Sequence, residues 1–175
     1  MSVNLFVDWR YLSVSGLKHY DSRPDLETLL NFIHGGGEIK TQNIYGTFGG
    51  DMVYMIQNLG FDVISATPDD RIDLMIQDIN DLPAVAGHWI VVVASSPKLI
   101  QSLRKAKKEG ALTMLIGFNE FMEKRLVDSV DFYLPFPLLF KAFRPNKKPL
   151  PGTPSQIVTP SEMSEADTDI VLESE

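Results

Sequence analysis

The chain reads as an α/β protein, a three-layer α/β/α sandwich around a mainly parallel sheet. Three observations predict this. Short β-prone apolar runs alternate with segments of helical length, the pattern of repeated βαβ crossovers. The run Trp89 to Ala94 (WIVVVA) is apolar without alternation, as expected of a strand covered on both faces. Glycines, prolines and capping acids mark the boundaries between the two kinds of segment.

The elements follow in order. Val3 to Asp8 (VNLFVD) is apolar and β-prone and makes the first strand. Pro24 and Asp25 suit the first turn of a helix running to Ile33, which the triple glycine at 35 to 37 stops. A strand over Asn43 to Phe48 leads to a helix that starts at Asp51 and ends near Asn58, with Gly60 in the stop position. Strands are then expected over Phe61 to Ser65, Trp89 to Ala94, Leu112 to Gly117 and Asp131 to Leu134. Helices are expected between them, over Arg71 to Leu82, Pro97 to Glu109 and Glu120 to Val127. In such a sheet the ligand site lies beyond the carboxyl ends of the strands, near a switch in strand order.

Composition bounds the function. The 175 residues are 44% hydrophobic and 22% charged, which suits one domain with a substantial core and a remainder. A domain is expected over 1–145. From Asn146 onward the chain is rich in Ser, Thr, Pro and acids, and it reads as an acidic, disordered tail. That tail carries two lysines and six acids, so the formal charge of −7 leaves the body at only −3. Such a balance argues against broad nonspecific attraction to nucleic acid. Within the tail, Ile170 to Leu172 is a short apolar run of a kind that can add as a strand to a partner or to a second copy, so a homo-oligomer stays open. The absence of cysteine excludes thiolate metal sites, disulfides and a cysteine nucleophile. No run is long enough to span a membrane and the start has no secretory pattern, so no membrane partner and a cytoplasmic setting are expected.

Asp8 ends the first apolar strand, where a carboxylate suits a hard divalent cation. Asp73, in DDRIDLMIQDIND, sits at a helix start, where acids also serve simply to cap and to complement the helix dipole. Ser95 and Ser96 stand ahead of Pro97 as a helix cap. Arg104, Lys105, Lys107 and Lys108 form a basic helix face opposite Leu99, Ile100, Leu103 and Ala106, readable as a phosphate-contacting patch or as a solvated face. Lys141, Arg144, Lys147 and Lys148, with Phe140 and Phe143 interleaved, either grip single-stranded RNA or pack their aromatics on the body. The glycines of HGGGE and FGGD fit neither a dinucleotide fingerprint nor a phosphate loop, so no nucleotide cofactor is expected. His19, His34 and His88 fall in expected loops without metal-ligand spacing.

The order VNLFVDWRYL, NIYGTF, NLGFDVIS, RIDLMIQDI, WIVVVASSPKLIQSLRKAKKEG, LTMLIGF and VDFYLPF resembles the NYN domains, members of the PIN-like nucleases. The resemblance covers residues 3 to 136 and implies a PIN-like, Rossmann-like fold. It also implies ribonuclease chemistry in which clustered aspartates hold Mg²⁺ or Mn²⁺ against a phosphodiester. Asp8 matches the first-strand ligand and Asp73 the helix-start ligand. The family's Ser-Gly-Asp-Ser-Asp-Phe cluster is Ala94-Ser95-Ser96-Pro97-Lys98-Leu99 here, so Ser96 and Lys98 replace its acids. Tyr11 stands where the family has Asn, and Asp78 is out of step with a further acid. The expectation is that Lys98 points toward Asp8 and Asp73 and takes the place of the cation. The chain then reads as a degenerate, pseudo-nuclease domain that binds RNA or a protein partner, with no cofactor. The alternative is a Mg²⁺- or Mn²⁺-dependent ribonuclease that uses Asp8 and Asp73.

Overall fold

The computed structural model describes residues 1–20, 25–83, 85–136 and 138–139. Six strands, β1 (Ser2–Asp8), β2 (Glu38–Gly46), β3 (Asp62–Ser65), β4 (Trp89–Val93), β5 (Leu112–Gly117) and β6 (Phe132–Pro135), form one sheet in the order β3-β2-β1-β4-β5-β6. Every pairing is parallel. The order reverses between β1 and β4, so their carboxyl ends open the crevice where such sheets bind ligands.

Helices α1 (Trp9–Tyr20), α2 (Leu26–His34) and α3 (Gly50–Asn58) belong to one side of the sheet, and α4 (Arg71–Asn80), α5 (Ile100–Lys108) and α6 (Lys124–Val127) to the other. The alternation of β1 sorts its side chains between the two layers. Val3, Leu5 and Val7 join Leu12, Leu29, Ile33 and Ile56, whereas Phe6 joins Met75, Ile79, Leu99 and Leu103. All of β1 is buried, as a central strand with helices on both faces must be.

The expected strands are all present, and the differences have local causes. β2 begins at Glu38 rather than Asn43, because β3 pairs only with Asn43 to Gly46 and leaves the polar stretch before it as an edge facing solvent. The helix expected over Pro97 to Glu109 opens with a 3-10 turn at Pro97–Leu99 before α5. That expected over Glu120 to Val127 is a 3-10 turn at Asn119–Phe121 followed by α6. Helix α1 was missed, because Ser13, Val14, Ser15 and Gly16 have poor helix propensity; it forms where Trp9, Tyr11 and Leu12 bury against the sheet. His19 therefore lies in α1 and His34 closes α2, not in loops, while His88 precedes β4. Pro24, the tail from Asn146 with Ile170 to Leu172, and the second basic stretch with Phe140 and Phe143 lie outside the described residues.

Candidate functional site

Asp8 closes β1 at the crevice and is only 2% exposed. Its Oδ1 accepts a hydrogen bond from the Tyr11 backbone N–H at 3.1 Å, which makes it the N-cap of α1. The same oxygen accepts from Arg71 Nε at 2.8 Å. Arg71 opens α4 from the far side of the crevice, and its Nη1 also donates to the Pro68 carbonyl. A buried carboxylate without a counter-charge would pay a heavy desolvation cost, and the guanidinium offsets it.

Asp73, in the first turn of α4, behaves differently. Lys98 Nζ lies 3.0 Å from its Oδ1 and 3.3 Å from Oδ2, and both side chains are about 60% exposed, at 61% and 59%. Lys98 thus meets Asp73 as expected, but the cation on Asp8 is Arg71. The expectation that Lys98 serves both carboxylates is corrected on that point: Lys98 sits in a solvated turn, whereas Asp8 is enclosed and takes the cation at the head of α4. Ser96 is the cap residue before Pro97, yet its hydroxyl makes no capping bond; its carbonyl receives the Leu99 N–H at 3.2 Å.

Nearby acids are also engaged. The Asp70 carboxylate accepts the Thr67 hydroxyl at 2.6 Å. Asp78 accepts from Tyr45 Oη at 2.5 Å and from Asn43 Nδ2 at 3.2 Å, on the α4 side of β2. Burial, reinforced by the Asp78 carboxylate, pushes the Tyr45 phenol far above its ordinary value. It stays a neutral donor. Among the described residues, no three His, Asp or Glu side chains gather in a way that could hold a metal ion. Each of the two carboxylates, Asp8 and Asp73, is paired with a cation of the chain itself.

Tyr11 crosses the crevice from α1 to the end of β5. Its Oη accepts the Phe118 backbone N–H at 2.6 Å, and its ring meets Phe118 edge-on at 5.8 Å. Burial drives its phenol well above the ordinary value, although the Phe118 hydrogen bond pulls the other way. Gly117 leaves room for it: a Cβ there would lie 2.8 Å from Tyr11 Oη and 2.1 Å from Met122 Cε, so both side chains would have to shift. Tyr11 therefore ties the ends of β1 and β5 together.

Beside the Asp8–Arg71 pair a cavity of about 240 Å³ is lined by Trp9, Arg10, Ser13, Thr47, Pro68 and Arg71. An adjoining hollow of about 360 Å³ shares Thr47 and Pro68 and adds Phe48 and Ser65. Trp9 and Phe48 face one another at 6.2 Å. Arg10 is exposed and makes no ion pair among the described residues. Neither arginine was singled out in the sequence; the signal for Arg71 was that an acid ending a fully apolar central strand needs a counter-charge.

The basic helix face forms as expected, with Ile100, Leu103 and Ala106 buried and Arg104, Lys105, Lys107 and Lys108 exposed. Lys107, however, is tied down. Its Nζ lies 2.6 Å from Asp131 Oδ1, and Asp131 Oδ2 accepts from Thr113 N at 3.0 Å and Oγ1 at 2.9 Å. Burial raises the Asp131 carboxyl, but the bonds from Lys107 and Thr113 together outweigh it and hold the group below its ordinary value.

No protein-family model and no curated protein matches the chain. Among solved structures it is similar to a protein of unknown function from Vibrio parahaemolyticus, with 12% identity and a TM-score of 0.66 over 77% of this chain and 91% of the other. That likeness shows the fold, an α/β/α sandwich with a parallel sheet.

Proposed function

We propose that this chain is a degenerate NYN-type domain of the PIN-like nucleases that binds single-stranded RNA without cleaving it. The observation that carries the reading is the Arg71–Asp8 pair. A guanidinium lies 2.8 Å from Asp8 Oδ1, the same oxygen that caps α1, so the first-strand carboxylate already carries a counter-charge from the chain. Asp73 pairs with Lys98 in a solvated turn, so the buried Asp8–Arg71 pair carries the weight of the reading.

The groove beside this pair supports RNA as the ligand. Arg10 offers a guanidinium to a phosphate, Thr47 and Ser13 offer hydroxyls, and the half-buried Phe48 ring offers a face for a base. Arg104, Lys105 and Lys108 make a second, separate basic surface on the opposite layer.

The test begins with calorimetric titration of Mn²⁺ into the wild type and Asp8→Asn. Neither is expected to bind saturably; saturable binding lost in Asp8→Asn would instead support the ribonuclease using Asp8 and Asp73. Anisotropy of a labelled single-stranded RNA should then show affinity falling with salt, with a log–log slope of about −0.7 for each phosphate neutralised. Arg10→Glu and the double reversal Lys105→Glu with Lys108→Glu should each weaken binding and flatten that slope. RNA affinity that is absent, or indifferent to both changes and to salt, would overturn the reading and turn attention to a protein partner.

A further inference from the structure

Two features of the groove beside the Asp8–Arg71 pair narrow its ligand to a single phosphate. The first is the pair of guanidiniums that line one cavity. Arg71 is held in place, with Nε on Asp8 and Nη1 on the Pro68 carbonyl, and among the described residues its Nη2 has no partner. It is therefore a fixed guanidinium with donors to spare, the form in which arginine recognises phosphate at least cost in side-chain freedom. Arg10 lines the same cavity from α1, exposed and without an ion pair among the described residues. Asp8 balances one of the two charges, so the hollow keeps one net positive charge.

The second feature is what surrounds the two arginines. The segments that carry the cavity and its adjoining hollow, 46–51 and 65–73, bring four acids, Asp51, Asp69, Asp70 and Asp73, and no cation besides Arg71. All four acids are exposed. A nucleic-acid backbone that runs across a protein needs cations along its path. This edge provides them at one place and turns acidic on either side of it.

We infer that the groove is a site for one nucleotide with a terminal phosphate monoester, the phosphate between Arg10 and Arg71 and the base on Phe48. Gly46, Thr47, Ala66 and Pro68 line both hollows, so the two are continuous. Together they fall in the size range of small-molecule sites, roughly 300–1,000 Å³. The half-buried Phe48 ring supplies a stacking face there, and the exposed Ser65 at the end of β3 supplies a hydroxyl at the rim. The Thr47 hydroxyl is already spent on the Ala66 carbonyl at 3.1 Å, which leaves the guanidiniums as the phosphate donors. A terminal monoester brings a charge of about −1.5 to −2 at pH 7, more than the single charge of an internal diester, and so gains most from two guanidiniums in one hollow. The nucleotide is either free or the end of an RNA chain. The inference rests on the same groove as the RNA reading and names its ligand, and the experiment separates the two.

The chain offers its own reporter. It has two tryptophans, so Trp89→Phe in the full-length chain leaves Trp9, which lines the cavity, as the sole emitter. Adenosine 5′-monophosphate and adenosine are titrated into that chain while Trp9 emission is followed. The monophosphate should saturate at a concentration at least about tenfold lower than adenosine, the worth of one charge-assisted contact. Arg10→Gln, an exposed change, should abolish that preference, Phe48→Ala should weaken both ligands, and Arg104→Gln on α5 should alter neither. Anisotropy of a short labelled single-stranded RNA with a 5′-phosphate, a 3′-phosphate or hydroxyl ends then separates the sources. Tighter binding of a phosphorylated RNA identifies the end of a chain as the ligand. A preference for the monophosphate with no effect of RNA ends identifies a free nucleotide, and if RNA does not bind at all, the RNA reading alone falls. RNA bound equally well with phosphate or hydroxyl ends, together with a monophosphate bound no better than adenosine, would overturn the inference and leave the RNA reading standing. A monophosphate preference that survives Arg10→Gln would also overturn it, and no binding of nucleotide or RNA would overturn both.

Discussion

Asp8 and Asp73 stand at the same edge of one sheet, and each holds a cation of the chain. Their surroundings make them different objects. The Asp8–Arg71 pair is 2% and 20% exposed, whereas the Asp73–Lys98 pair is 61% and 59% exposed, and the Asp131–Lys107 pair lies between at 22% and 43%. Burial decides what each is worth. In an enclosed site, removing one partner strands a charge away from water, whereas an exposed pair loses only a contact that solvent replaces.

The largest effect is expected at Arg71. Arg71→Met should cost about 3–5 kcal/mol in urea unfolding, because it leaves Asp8 buried without its counter-charge. Adding Asp8→Asn to it should recover part of the loss, since the stranded charge is then gone. A cost below about 1 kcal/mol for Arg71→Met would put Asp8 on the footing of an exposed pair and break the comparison.

Asp131→Asn should cost about 1–2 kcal/mol at neutral pH, since charge-assisted bonds to Thr113 and Lys107 are lost while the amide retains part of the geometry. Its pH dependence follows from the lowered carboxyl. The folded state favours the ionised form, so the contribution is complete above the ordinary Asp value of about 3.9 and is lost as pH falls through the lower folded value. The stability gap between wild type and Asp131→Asn should therefore hold at pH 7 and close in acid. A gap that stays constant down to pH 3 would mean that ionisation of Asp131 contributes nothing.

The smallest effect belongs to Lys98. Lys98→Ala should change stability by less than about 1 kcal/mol, and 1 M salt, with a screening length of about 3 Å, should erase the difference in melting temperature. A larger, salt-insensitive loss would mean that the pair is more enclosed than its exposure implies.

Much of the sheet was legible in the sequence because its signals are local. Glu38 to Gln42 escaped notice because an edge stretch facing water alternates polar groups rather than showing an apolar run. Helix α1 escaped for the complementary reason: Ser13 to Gly16 carry no helical preference of their own, and Asp8, read as a ligand, is also the cap that starts it. At the crevice, the sequence supplied Asp8, Asp73 and Lys98 as residues of interest but not their partners. Nothing in RIDL announces that Arg71 will meet a carboxylate from the first strand, and nothing in DWR announces a groove lined by Arg10 and Trp9.

The sequence by itself determined the alternation of strands and helices, the placing of acids at strand and helix ends, and the amphipathic face of α5. Each rests on interactions within a few residues, on apolar periodicity and on the fixed reach of a capping side chain. The tertiary structure decided which cation each carboxylate received, which of them was shut away from water, and that Lys107 belongs to Asp131. Those outcomes depend on Coulomb interactions between groups far apart in the chain and on their desolvation, and both are set only when the sheet order brings the ends of β1, α4 and β5 together.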